Sequence, residues 1–189
     1  MKEIILASAS PRRKELMRLI TPHYTVVVSD VEERALTADT PAQLAAVLGS
    51  AKCRAVAQNH PDAVVIGCDT VVECGGKMFG KPRDKAQAFA MLQALSGLKH
   101  LVHTGVCVRC GAREECFTVT TGVTFAPLSK AEIAAYVSTD EPYDKAGGYG
   151  VQGRAACFIT GLAGCYYNVM GFPVQRVYRT LRDFGCLPD

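Results

Sequence analysis

The opening of the chain leaves little freedom. Ile4-Ile5-Leu6-Ala7 is a short apolar run, Ser8-Ala9-Ser10-Pro11 breaks it, and Leu16, Leu19 and Ile20 recur behind it at helical spacing. An apolar run of that length reads as a buried strand. Ser10 suits an N-cap and Pro11 a first helical position. The chain must therefore open as strand, tight loop, helix, and a helix laid against a strand commits the fold to mixed layers.

The rest extends this pattern. Tyr24 to Ser29 reads as a second strand. Thr40-Pro41 begins a helix with Leu44, Val47, Leu48, Ala51 and Ala55 on one face and Lys52 near its edge. Ala63 to Ile66 is a buried strand with Gly67-Cys68-Asp69 at its end. Gly75-Gly76 turns a hairpin between Val71-Val72-Glu73 and Lys77-Met78-Phe79. Asp84 caps a helix that Gly97 stops. Leu101 to Arg109 and Glu115 to Phe125 read as long strands. Ser129 and Glu132 form a capping box. Ala156 to Thr160 and Tyr166 to Met170 read as strands, and 173 to 184 as the last helix. Strand–helix units around an antiparallel middle predict an α/β fold with a mixed, twisted sheet flanked by helices. No linker divides residues 1–189, so one domain is expected.

Composition excludes several classes. The formal net charge of +3 is too small for a nucleic-acid surface, and no run is long and apolar enough for a membrane helix. The start lacks the apolar stretch and cleavage site of a secretion signal, so a cytoplasmic location is expected. Cys107 and Cys110 form a CxxC, but no second metal-binding pair follows, and the 9 cysteines read as reduced thiols, several of them packed as small hydrophobes.

Five constellations could carry chemistry. Ser8, Ser10, Arg12 and Arg13 surround a helix N-terminus, where free N–H groups and the helix dipole favour phosphate. The plainer reading is a Ser-Pro cap with two solvated arginines. Asp69-Thr70 leaves a buried strand, so the carboxylate could bind Mg²⁺ or take a proton from water, or merely cap a turn. Glu32-Glu33 could complete a hard-oxygen metal site with Asp69, or be a solvated acidic turn. Lys52, Lys81 and Lys145 form a fourth set; a surface lysine is usually just solvated, and Lys52 and Lys81 are the candidate phosphate contacts. Gly80 and Pro82 hold Lys81 rigidly. Finally, the stretch from Asp140 to Gly153 holds four glycines. Within it, Tyr149 could pack against a ring, and Gln152 offers the donor and acceptor that a pyrimidine edge requires.

Together these pieces resemble the Maf family of nucleotide pyrophosphatases. The matching text is Ser8-x-Ser10-Pro11-Arg12-Arg13, Glu32-Glu33, Lys52, Gly67-Cys68-Asp69-Thr70-Val71-Val72, Gly80-Lys81-Pro82, Leu95-Ser96-Gly97, His103-Thr104-Gly105-Val106, Asp144-Lys145-Ala146-Gly147, Tyr149-Gly150-Val151-Gln152-Gly153 and Gly171-Phe172-Pro173. The resemblance implies two lobes with a cleft between them, as in the inosine triphosphate pyrophosphatases. It also implies a divalent metal (Mg²⁺ or Mn²⁺), a homodimer and a cytoplasmic location. The family's proton acceptor corresponds to Asp69, and its substrate-choice positions to Arg12, Thr70 and Gln152.

The branch acting on dTTP and UTP carries Asp-Lys-Ala-Gly-x-Tyr-Gly-Ile-Gln-Gly, and a branch acting on 7-methyl-GTP has Phe-Lys-Ser-Glu-Gly nearby. The present text is similar to the former. Cys68 stands where a small residue such as Ala is expected, and Gly148 where Ala or Ser is usual. The resemblance thus implies hydrolysis of a pyrimidine nucleoside triphosphate to monophosphate and pyrophosphate. Two alternatives stand beside it: a nucleotide-binding regulator of septum formation without turnover, and a pyrophosphatase for another non-standard nucleotide.

Overall fold

The computed structural model describes residues 2–187. Strand β1 (Ile4–Leu6) leads into helix α1 (Pro11–Arg18), with the Ser10 hydroxyl accepting from the Arg13 N–H. Strand β2 (Thr25–Val26) follows, then helix α2 (Pro41–Ala57), closed at its start by a Thr40–Gln43 capping box. Strands β3 (Val64–Cys74) and β4 (Lys77–Phe79) form the hairpin expected at Gly75-Gly76, both at positive φ. Helix α3 (Lys85–Leu95), long strands β5 (Lys99–Cys110) and β6 (Arg113–Phe125), helix α4 (Lys130–Tyr136), strand β7 (Ile159–Ala163) and helices α5 (Tyr166–Val169) and α6 (Val174–Asp183) complete the order.

Three boundaries depart from the sequence reading. The second strand keeps only two residues. Residues 154–158 form a 3₁₀ turn, so the next strand begins at Ile159. The run 166–170, expected as a strand, is helical in α5. Short apolar runs do not declare their period. Here the helix turns Asn168 inward, where its amide donates to the Val102 carbonyl and the Thr121 hydroxyl, both at 3.0 Å.

The sheet order is β2-β1-β3-β5-β6-β7, with β4 added to β3. Pairings of β1 are parallel and the rest antiparallel. One apolar cluster joins Ile4, Leu6, Ile66, Val106 and Val108 to Leu16 and Met17 of α1 and Val177 and Leu181 of α6. A second joins Val72, Val102, Val123 and Phe125 to Leu92 and Leu95 of α3 and Ile133 and Tyr136 of α4. Strands β3 and β5 run through both. The change-over falls between Cys68 and Val72 on one strand and between Val106 and Val102 on the other. Two lobes therefore share two strands, with Thr70 and Thr104 at the waist. β1 pairs only with Val64–Ile66 and β4 only with 72–74, so 67–71 of β3 has β5 on one side and no described strand on the other.

Helix α2 covers the opposite sheet face, and its buried stripe is Ala45, Leu48, Gly49, Lys52, Cys53 and Val56. That stripe is rotated from the expected one; Val47 is 38% exposed, and Lys52 is buried rather than at the edge. The sheet beneath explains the rotation. A Cβ on Gly67 would strike the Cys53 nitrogen and the Gly49 carbonyl, and one on Gly105 would strike the Ala45 carbonyl. A Cβ on Gly49 would stand 2.6 Å from the Gly105 oxygen. Helix backbone rests directly on sheet backbone, so the contact selects small residues over the largest apolar ones. Leu19, expected on the α1 core face, lies past the helix end and is 62% exposed. Among the described residues no helix is long and apolar enough to cross a membrane.

Candidate active site

The open edge of β3, the N-terminus of α1 and the loop after α4 enclose a cleft of about 650 Å³, within the usual range for small-molecule sites. Ser8, Ser10, Arg12, Arg13, Glu33, Lys52, Asp69, Thr70, Lys81 and Gln152 all line it. Glu32 does not: it precedes the 3₁₀ turn Glu33–Ala35, and only the second of the two acids faces the cleft. Asp69 is not at a strand end as expected but inside β3, paired with Gly105. The missing neighbour strand, rather than a strand terminus, is what exposes it.

Arg13 is a fastener. Its guanidinium donates to the Gly171 carbonyl (2.9 Å), the Ser8 hydroxyl (3.2 Å) and the Thr70 hydroxyl (3.0 Å). Thr70 and Thr104 hydroxyls lie 3.0 Å apart, and Thr104 donates to the Asn168 carbonyl at 3.1 Å. Each hydroxyl has one proton, so Thr70 must donate to Thr104. The chain Arg13→Thr70→Thr104→Asn168 runs one way across the waist and fixes α1 to β3 and β5.

Asp69 faces the other side of β3. Lys52 Nζ stands 2.5 Å from Asp69 Oδ1 and 2.8 Å from Glu33 Oε1. Burial works against the Lys52 ammonium, but Asp69 and Glu33 outweigh it and raise its pKa above the ordinary value, so it is charged at neutral pH. Two carboxylates converging on one ammonium are hard oxygen donors at a place where positive charge is stabilised. That donor set fits Mg²⁺ or Mn²⁺.

Arg12 reaches across the cleft to Asp144, 2.5 Å from its carboxylate oxygen and 3.3 Å from its carbonyl. Lys145 holds the other carboxylate oxygen at 2.6 Å. Although burial opposes its charge, hydrogen bonds from Lys145 and Arg12 keep the Asp144 carboxyl below the usual carboxylate range. The contact is therefore complete above that range and is lost only as pH falls through the lowered value. In the sequence Asp144 stands out only as part of the Asp144-Lys145-Ala146-Gly147 text, with no role attached to it.

Lys81 and Gln152 are exposed, and Gln152 makes no hydrogen bond to another described residue. Tyr149 lines the cleft but is only 5% exposed. Its hydroxyl meets His100 Nε2 at 2.7 Å, and its ring packs edge-on against Phe125 with centroids 4.9 Å apart. Its ring belongs to the second core instead of packing on a ligand. Asn168, which anchors the waist, went unnoticed in the sequence.

Known proteins resemble this chain along its length. The family model described as Maf-like protein matches residues 3–184. The dTTP/UTP pyrophosphatase of Symbiobacterium thermophilum is 48% identical over 185 residues, covering 98% of this chain and 95% of that protein. That of Bacillus cytotoxicus is 45% identical over 184 residues, covering 97% and 96%. Among solved structures, the Ham1 protein of Staphylococcus aureus aligns with a TM-score of 0.55 at 17% identity, covering 97% of this chain and all of that one. The HAM1 protein of Coxiella burnetii aligns at 0.51 and 15%, with 97% and 100% covered. At such identities the two structures speak to the fold alone.

Proposed function

The chain belongs to the Maf-like family, and from that premise we propose that it hydrolyses dTTP and UTP to the monophosphate and pyrophosphate. The observation that carries the chemistry is the meeting of Asp69 with Arg12, Lys52 and Lys81 around one cleft. The triphosphate lies at the N-terminus of α1, its charge opposed by Arg12, Lys52 and Lys81. Arg13 holds Ser8, Thr70 and Gly171 in place beneath it. Lys52 occupies Asp69 Oδ1, which leaves Oδ2 to take a proton from water. The water oxygen bonds to the α-phosphorus, the bond from the α-phosphorus to the α,β-bridging oxygen breaks, and pyrophosphate leaves with that oxygen and its electron pair. Cations facing the leaving group oppose the charge that grows there. A divalent cation would be held by Asp69 and Glu33 in place of the Lys52 ammonium, freeing Lys52 for the phosphates, and would supply further positive charge to the phosphate oxygens. Chelation with EDTA is expected to abolish turnover, and Mg²⁺ or Mn²⁺ to restore it; turnover in EDTA would remove the metal.

The test is a panel of dTTP, UTP and purine triphosphates hydrolysed in ¹⁸O-water. The expected products are pyrophosphate and a monophosphate carrying the label. Release of inorganic phosphate, or label in pyrophosphate, would overturn the reaction. Binding without turnover would favour the regulator of septum formation. Gln152→Ala is expected to raise KM for dTTP and UTP with little change in Tm, and an unchanged pyrimidine-to-purine ratio would sink its base-reading role.

Asp144 sits on Arg12 as a phosphate oxygen would. Asp144→Asn is expected to lower KM for dTTP about two- to fivefold, the scale of an exposed ion pair, with kcat less changed; a raised KM would show that Asp144 positions Arg12 instead. The same reading takes the protein to be a cytoplasmic homodimer. Light scattering tests the dimer, and fractionation of cells tests the location.

A further inference from the structure

The sheet face beneath α2 carries a second set of reactive groups, and none of them lines the cleft. Cys107 of β5 and Cys116 of β6 are direct partners in the antiparallel register, with sulfurs 2.7 Å apart. Opposed residues in such a pair hold their Cα atoms about 4.5–5.5 Å apart, within the roughly 4.4–6.8 Å that a disulfide spans. Cys107 is buried and Cys116 exposed. Cys53 of α2 packs in the same buried cluster as Cys107 and donates its own thiol proton to the Val65 carbonyl at 3.2 Å, and the Ser50 hydroxyl meets Cys116 at 3.4 Å.

Glu114 comes near enough to the two thiols to suggest a metal, its oxygen 3.7 Å from Cys116. But that carboxylate already accepts from Arg54 at 2.5 and 3.0 Å and lies 3.3 Å from Arg109. A cation arriving there would meet two guanidiniums, whereas two sulfurs joining each other meet no such cost.

We propose that Cys107 and Cys116 form a modification site: a reversible disulfide made when a peroxide oxidises the exposed Cys116. The Cys116 thiolate attacks a peroxide oxygen, the O–O bond breaks, hydroxide leaves, and sulfenic acid remains. The Cys107 sulfur then attacks the Cys116 sulfur and displaces its hydroxyl group. Two thiols give up two hydrogens, and one hydrogen peroxide becomes two waters. Burial, and then the bond to Cys107, pushes the Cys116 thiol up to about 12. The neighbouring Cys53 thiol, and then burial, raises Cys107 as well. Thiolate is scarce at neutral pH, so oxidation is slow there and quickens as pH rises. Cys107 then captures the sulfenic acid before it passes to irreversible acids. This site is independent of the proposed hydrolysis.

Hydrogen peroxide treatment, iodoacetamide blocking, tryptic digestion and mass spectrometry test the idea on the whole protein. Trypsin cuts after Arg109 and Arg113, so Cys107, Cys110 and Cys116 fall on separate peptides. The expected product is peptide 100–109 joined to peptide 114–130, about 2 Da lighter than their sum and released by dithiothreitol. Cys116→Ser should abolish the product and leave dTTP hydrolysis unchanged. Cys107→Ala should drive Cys116 to sulfinic acid; if that buried variant fails to fold, the wild-type map still decides. Cys116 over-oxidised or alkylated with Cys107 still alkylatable overturns the proposal. So does protection of both thiols that EDTA removes and dithiothreitol does not, which would mark a metal site.

Discussion

Asp69→Asn is expected to cut turnover of dTTP and UTP by at least about a hundredfold, the lower bound for losing a catalytic base. The substitution keeps the shape of the side chain and one hydrogen-bond acceptor for Lys52. It removes the charge that takes a proton from water. Lys52 keeps Glu33 at 2.8 Å, so the buried ammonium is not abandoned. A cost of about 1–2 kcal/mol is expected for the weakened bond, or a few degrees in Tm at about 2–4 °C per kcal/mol.

The pH dependence has a definite sign. The raised pKa of Lys52 contributes stability that is complete at neutral pH and lost as pH rises through the folded-state value. Asp69→Asn should therefore narrow the stability gap to wild type at strongly alkaline pH, where wild-type Lys52 also loses its proton. Near-normal turnover would exclude Asp69 from the chemistry. Collapse of the fold would make it a structural acid.

Local chemistry was legible in the sequence and non-local chemistry was not. Ser10-Pro11, Thr40-Gln43 and Ser129-Glu132 state their helix starts within a few residues, and each cap is made. The phosphate-binding character of Ser8 to Arg13 was visible for the same reason. Asp69 was visible as a residue but not as a place. Its strand continues because β5, far along the chain, pairs with it through Glu73, and its exposure depends on β1 ending at Leu6. Which of two adjacent glutamates faces the cleft depends on a 3₁₀ turn that neither residue announces. Tyr149 looked like a ligand platform because His100 and Phe125, which claim its hydroxyl and ring, are distant in sequence. Large apolar residues mark a buried face by default, which puts Lys52 at the edge of its helix. Here that face is marked by glycine and alanine.

That last point makes Gly105 the most sensitive position outside the reacting groups. Gly105 lies opposite Asp69 in the strand register and directly beneath Ala45 of α2. A methyl group there has only backbone to push against, so the neighbour cannot yield by changing a rotamer. Gly105→Ala is expected to destabilise by about 2–3 kcal/mol, lowering Tm by roughly 4–12 °C for a chain of this size. The relief available is to lift α2, and α2 carries Lys52. Lifting it draws the ammonium away from Asp69, so kcat/KM for dTTP should fall at least about tenfold in the protein that remains folded, because misplacement by about 1 Å is already costly. Gly80→Ala is the control: a Cβ there meets nothing within 4 Å, and stability should stay within about 0.5 kcal/mol. Calorimetry and initial rates below the transition separate the two effects. If Gly105→Ala kept both its Tm and its activity, the helix could not be resting on the sheet backbone, and the position of Lys52 would need another cause.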